Sequence, residues 1–198
     1  VFSSSFSVVS LNNLKSWTLP FSKATPAISS VFSFLENNEN NIALIVDLPE
    51  TKSIEVGIFL AKQYGIRPIP IHNGIIEQKG ARATTDNTSV MSALLWGANE
   101  LSQVEIKDDA TPCFLVDINR LQRRKLDVSI FDNSYDVYHQ DLPTEEYFIK
   151  NGISKIYILS ENGLSKDLKR IFNEYPKKKV GIFLTNGYGE IKCVRKGK

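Results

Sequence analysis

The stretch NIALIVDLPETKSIEVGIFLAKQYGIRPIPIHN, residues 41–73, decides the architecture. Ile42 to Val46 is a short, continuous apolar run, Ser53 to Tyr64 carries apolar residues at helical spacing, and Ile66 to Ile71 is extended again. That is strand, helix, strand: a βαβ unit. A parallel strand buried on both faces reads as an unbroken apolar run, and whatever follows its last apolar residue stands at the carboxyl edge of the sheet, where α/β proteins place ligands. Here that residue is Asp47. Pro68 and Pro70 both lack an amide donor, and positions i and i+2 of a strand point those donors to the same side. The second strand is therefore expected at a sheet edge.

The pattern repeats downstream. Asp86 to Ser102 has Val90, Leu94, Ala98 and Leu101 along one stripe, and Pro112 to Ile118 holds the apolar Cys113-Phe114-Leu115-Val116 before a second strand-ending acid, Asp117. Pro143 opens a third helix that closes at Gly152, Lys155 to Leu159 is a fourth strand, and Leu164, Leu168, Ile171, Phe172 and Tyr175 mark a fourth helix. Val180 to Leu184 and Glu190 to Val194 flank the turn Asn186-Gly187-Tyr188-Gly189, an antiparallel hairpin. Such alternation calls for a three-layer, doubly wound α/β fold with a mostly parallel sheet. With the second strand at an edge, the order expected is 2-1-3-4-5, and the hairpin strand lies outside the fifth. At fold level this resembles the flavodoxin-like, Rossmann-like arrangement over residues 42 to 194. A fold brings no function with it.

Residues 1–40 are read as an N-terminal arm with scattered aromatics and a short helix from Ala27 to Leu35, and residues 41–198 as one α/β domain. Val1 to Ser10 lacks a basic leader and is not read as a signal peptide. At 198 residues, 42% hydrophobic and 23% charged, with no apolar run long enough to cross a bilayer, a cytoplasmic protein is expected. Cys113 and Cys193 are the only thiols, and no disulfide is expected between them.

In the order 2-1-3-4-5 the winding reverses between strands one and three, so Asp47 and Asp117 flank the expected crevice. Neighbouring strands lie ~4.8 Å apart, close enough for the two carboxylates to share Mg²⁺ or to exchange protons. His72 and Asn73 end the second strand at the same edge and can polarise or orient a ligand. Arg82 in the Gly74 to Thr85 loop, Asn119 and Arg120 after the third strand, and Ser160 after the fourth complete the candidate set. Neither a P-loop nor a dinucleotide fingerprint follows the first strand. The edge invites comparison with response-regulator receiver domains through Asp47, Asp117 and Ser160. Yet the fifth strand ends in Thr185-Asn186 instead of a lysine, and Val46 stands where a second adjacent acid would be, so a phosphoacceptor role is not expected.

These residues lead to an expectation of binding, or acting on, an anionic small molecule, phosphorylated or nucleotide-like, with Asp47, Asp117 and His72 carrying chemistry. Whether the chain is an enzyme is left open. The competing expectation is a non-catalytic module that assembles, with copies of itself or another partner, through the N-terminal arm and the edge hairpin. The net charge of +2 does not call for nucleic acid. The basic clusters at Arg120 to Lys125, Lys177 to Lys179 and Lys192 to Lys198 are each read as solvated surface.

Overall fold

The structure, a computed structural model, describes residues 40–49, 51–71, 88–116, 142–160, 163–164, 166–174, 177–185 and 191–198. Within them the elements run β1 (Ile42–Val46), α1 (Lys52–Tyr64), β2 (Arg67–Pro70), α2 (Thr88–Leu101), β3 (Pro112–Leu115), α3 (Glu145–Lys150), β4 (Lys155–Leu159), α4 (Lys166–Glu174), β5 (Gly181–Thr185) and β6 (Ile191–Arg195). The N-terminal arm, the Gly74 to Thr85 loop and the 119–141 segment lie outside the described residues.

The six strands form one sheet, parallel except for the antiparallel β5–β6 pair. Its order is β2-β3-β1-β4-β5-β6, which corrects the expected 2-1-3-4-5: β3 sits between β2 and β1, and β1 has β4 on its other side. The proline argument for β2 holds. The Arg67 N–H donates to Thr111 O at 2.9 Å and the Ile71 N–H to Leu115 O at 3.1 Å, so odd positions face β3. Pro68 and Pro70 turn their missing donors to the open edge.

Alternation along each strand feeds two cores. On one face Ile42, Leu44 and Val46 of β1 join Cys113 and Leu115 of β3 under α1 and α2, including Ile54, Ile58, Leu60, Leu94 and Leu101. On the other, Ala43, Ile45, Phe114, Ile156 and Ile158 pack against α3 and α4 through Phe148, Leu168 and Phe172. Phe114 meets Phe148 edge-on, with ring centroids 5.9 Å apart. Gly57 sets how close α1 comes: a Cβ there would lie 2.5 Å from a Leu115 methyl, so the helix crosses directly over β3. The steps from β2 to β3, β3 to β4 and β4 to β5 all run in one direction across the sheet. Only the helix of the first of these lies on the α1 face, so by its helix that connection has the opposite hand to the next two, against the usual rule.

Helix ends follow local chemistry. Gly65 closes α1 at φ 65°, its N–H donating to Ala61 O, a left-handed position that costs glycine nothing. Thr144 caps α3, its hydroxyl accepting from the Tyr147 N–H. Both cysteines are free; Cys113 is buried, which pushes its thiol well above the usual range, and Cys193 is exposed. No helix among the described residues is long and apolar enough to cross a membrane.

Candidate functional site

β1 is interior to the sheet, and its carboxyl end continues past the strand proper. The Asp47 N–H donates to Leu159 O at 2.9 Å, and the Val116 N–H donates to Val46 O at 2.8 Å. Asp47 is thereby level with Ser160 on one side and Val116 on the other, given the pairing of Val46 with Leu159 and with Leu115. Only 6% of Asp47 is exposed, which is unusual for a carboxylate at a strand end.

The winding changes direction here. From β1 the chain steps to β2 on one side, whereas both neighbours of β1 step the other way, β3 to β4 and β4 to β5, so the winding reverses on each flank of β1. The expected reversal between β1 and β3 is kept, and a second lies between β1 and β4. Asp47 borders both, and the residue level with Asp47 on β4 is Ser160, 5% exposed. The Ser160 hydroxyl donates to Gly163 O at 2.6 Å, and its N–H donates to Thr185 O at 3.0 Å. Thr185, fully buried at the end of β5, is level with Leu159 and Val46, so alternation sets its side chain on the opposite face of the sheet from Asp47 and Ser160.

The loop from β1 into α1 is shaped by Ser53. Its hydroxyl oxygen accepts from the Leu48 N–H at 3.0 Å and lies 3.1 Å from both Val46 O and Leu48 O, so its one proton serves either carbonyl. Ser53 thus faces back toward the strand instead of capping the helix. Thr51 holds the N-cap position without a side-chain cap bond; its hydroxyl donates to the Glu55 carboxylate at 3.4 Å. Burial pushes the Glu55 carboxyl above its ordinary value, opposed by that Thr51 bond and by Lys52. Ser53 thereby ties the amino end of α1 to the backbone at the end of β1.

Of the candidate residues read from the sequence, Asp47 and Ser160 are brought together at one edge. Asp117, His72, Asn73, Arg82, Asn119 and Arg120 lie outside the described residues. Sequence reasoning did not assign Ser53 its place as the loop's anchor; the signal available was a serine six positions after a strand-ending acid. Comparisons with protein-family models, curated proteins and solved structures found no match.

Proposed function

We propose that the protein binds, or acts on, an anionic small molecule, phosphorylated or nucleotide-like, at the carboxyl edge of β1. The observation that carries this reading is Asp47: a carboxylate 6% exposed at the end of an interior strand, where the winding reverses, with Ser160 level with it on the next strand. An anion beside a buried carboxylate needs positive charge between them. Mg²⁺ held by the oxygens of Asp47 and Asp117 supplies it, since hard cations take carboxylate and hydroxyl oxygen. Arg82, Asn119 and Arg120 neutralise and orient the ligand, the Ser160 hydroxyl, its proton given to Gly163 O, offers its oxygen to the cation or to a ligand donor, and His72 with Asn73 polarises it. Where a reaction follows, His72 and the two aspartates move the proton.

The test is a thermal-shift screen of the parent, Asp47→Asn and Asp117→Asn against Mg²⁺, inorganic phosphate, sugar phosphates and nucleotides. Ligand at about 100 times its dissociation constant adds about 2.7 kcal/mol, a readily measured rise in melting temperature. The expected result is a rise in the parent that Asp47→Asn loses. A rise that survives both substitutions moves the site elsewhere, and no rise with any compound in the folded parent overturns the reading.

A further inference from the structure

The two carboxy-terminal lysine clusters, distant in sequence, meet at the amino end of β5. Arg195 pairs with Ile182, and the chain beyond β6 runs along the start of β5. A Cβ at Gly197 would lie 2.7 Å from Lys179 O and 2.9 Å from the Gly181 nitrogen, so only glycine allows that backbone contact. Lys196 and Lys198, on either side of Gly197, are thereby set beside Lys177, Lys178 and Lys179, and all five are exposed. Two carboxylates at this corner, among the described residues, are engaged. Glu146 pairs with Lys177, and the buried Glu145 pairs with Arg195. Among the described residues, Lys178, Lys179, Lys196 and Lys198 enter no ion pair.

The lysine loop is also held in an unusual shape. Lys178 has φ 50°, a left-handed conformation that a residue with a Cβ seldom adopts. Glu145 brackets it, accepting from the Lys177 N–H at 3.1 Å through one oxygen, and from the Lys179 and Val180 N–H groups at 2.6 and 3.0 Å through the other. Strain over-determined by its surroundings points to a role for the conformation it maintains.

We propose that this corner is a preformed contact for the phosphate backbone of a single-stranded nucleic acid, made by Lys178, Lys179, Lys196 and Lys198 without base readout. The site is separate from the carboxyl edge, at the opposite end of the strands. The chain as a whole carries only +2, so the attraction is local to this corner and not a property of the total charge.

The experiment is fluorescence anisotropy of a labelled oligothymidylate with the full chain at 50 and 200 mM salt. Four phosphate contacts, at a slope of about −0.7 each on a single strand, weaken binding about 50-fold between those salts. Lys178→Gln/Lys179→Gln/Lys196→Gln, checked for folding by circular dichroism, is expected to weaken binding at 50 mM salt at least tenfold by the loss of three such contacts and to flatten the salt dependence. Arg123→Gln/Arg124→Gln/Lys125→Gln is expected to leave both unchanged. Absence of binding at 50 mM salt overturns the proposal. So does binding lost in the Arg123 variant and kept in the Lys178 variant, and so does binding to anionic phosphatidylserine vesicles without binding to the oligonucleotide.

Discussion

Removing the carboxylate of Glu145 should destabilise the protein more than any single surface change, because four donors converge on it. Three are the backbone N–H groups of Lys177, Lys179 and Val180, and the fourth is Arg195 Nη2 at 2.8 Å. Lys177 and Lys179 are exposed, so water can replace the carboxylate there at little cost, whereas Val180 is fully buried. Stranding one buried N–H costs about 1–3 kcal/mol. Arg195 keeps its bonds to Val180 O but loses its counter-ion, with 12% of its side chain exposed. Breaking a buried ion pair by removing one partner costs about 3–5 kcal/mol, and the two terms overlap, so Glu145→Ala is expected to lose ~3–5 kcal/mol. Arg195→Met should lose less, ~1–3 kcal/mol, since three backbone donors still satisfy the Glu145 carboxylate. Urea denaturation followed by circular dichroism gives both numbers from midpoint and slope. A Glu145→Ala variant within ~1 kcal/mol of the parent, or an Arg195→Met loss exceeding that of Glu145→Ala, would refute this account of the corner.

Three further outcomes follow from packing and charge. Gly57→Ala puts a methyl into the Leu115 side chain, which must change rotamer, and is expected to cost ~1–3 kcal/mol in a urea midpoint, where an open helical site would gain from the same change. Val116→Asp buries an uncompensated charge in the core beside Phe114 and Ile158 and should prevent folding, which the far-ultraviolet circular dichroism spectrum will report; a soluble variant with parental stability would mean the strand is misplaced. Lys177 holds the Glu146 carboxyl below its ordinary value of 4.5, so that pair's contribution is present above 4.5 and is lost as pH falls through the lowered value. In turn Glu146 raises Lys177 above 10.5, and the contribution fades again as pH climbs through that raised value. Lys177→Gln should therefore differ from the parent in urea midpoint at pH 7, by a margin that shrinks as the pH is taken down through and below 4.5.

Much of this architecture was legible in the chain because burial on two faces writes itself as composition. Ile42–Val46 and Lys155–Leu159 occur as strands where continuous apolar runs mark them, and Pro68 with Pro70 identified an edge by subtracting donors from one side. What did not show was adjacency. Nothing in β3 says that it will enter between β2 and β1; the nearest trace is Gly57, whose missing side chain lets α1 lie on Leu115. Asp47 kept its place at a reversal of winding because both neighbours of β1, β3 and β4, step away from β2. The Glu145 cluster was invisible for a different reason: it joins residues 50 apart in the chain, and each of its members alone looks like ordinary charged surface.

The most direct test of the proposed ligand site is a titration of the isotopically labelled chain with Mg²⁺ and adenosine diphosphate, followed through backbone amide chemical shifts. A site at the carboxyl edge predicts perturbation of Asp47, Leu48, Ser53, Ser160 and Thr185, with Val180 and Arg195 at the other end of the strands unmoved, and loss of the pattern in Asp47→Asn. Perturbation confined to Lys177 to Val180 and Arg195 to Lys198, or equal in the parent and Asp47→Asn, would contradict it.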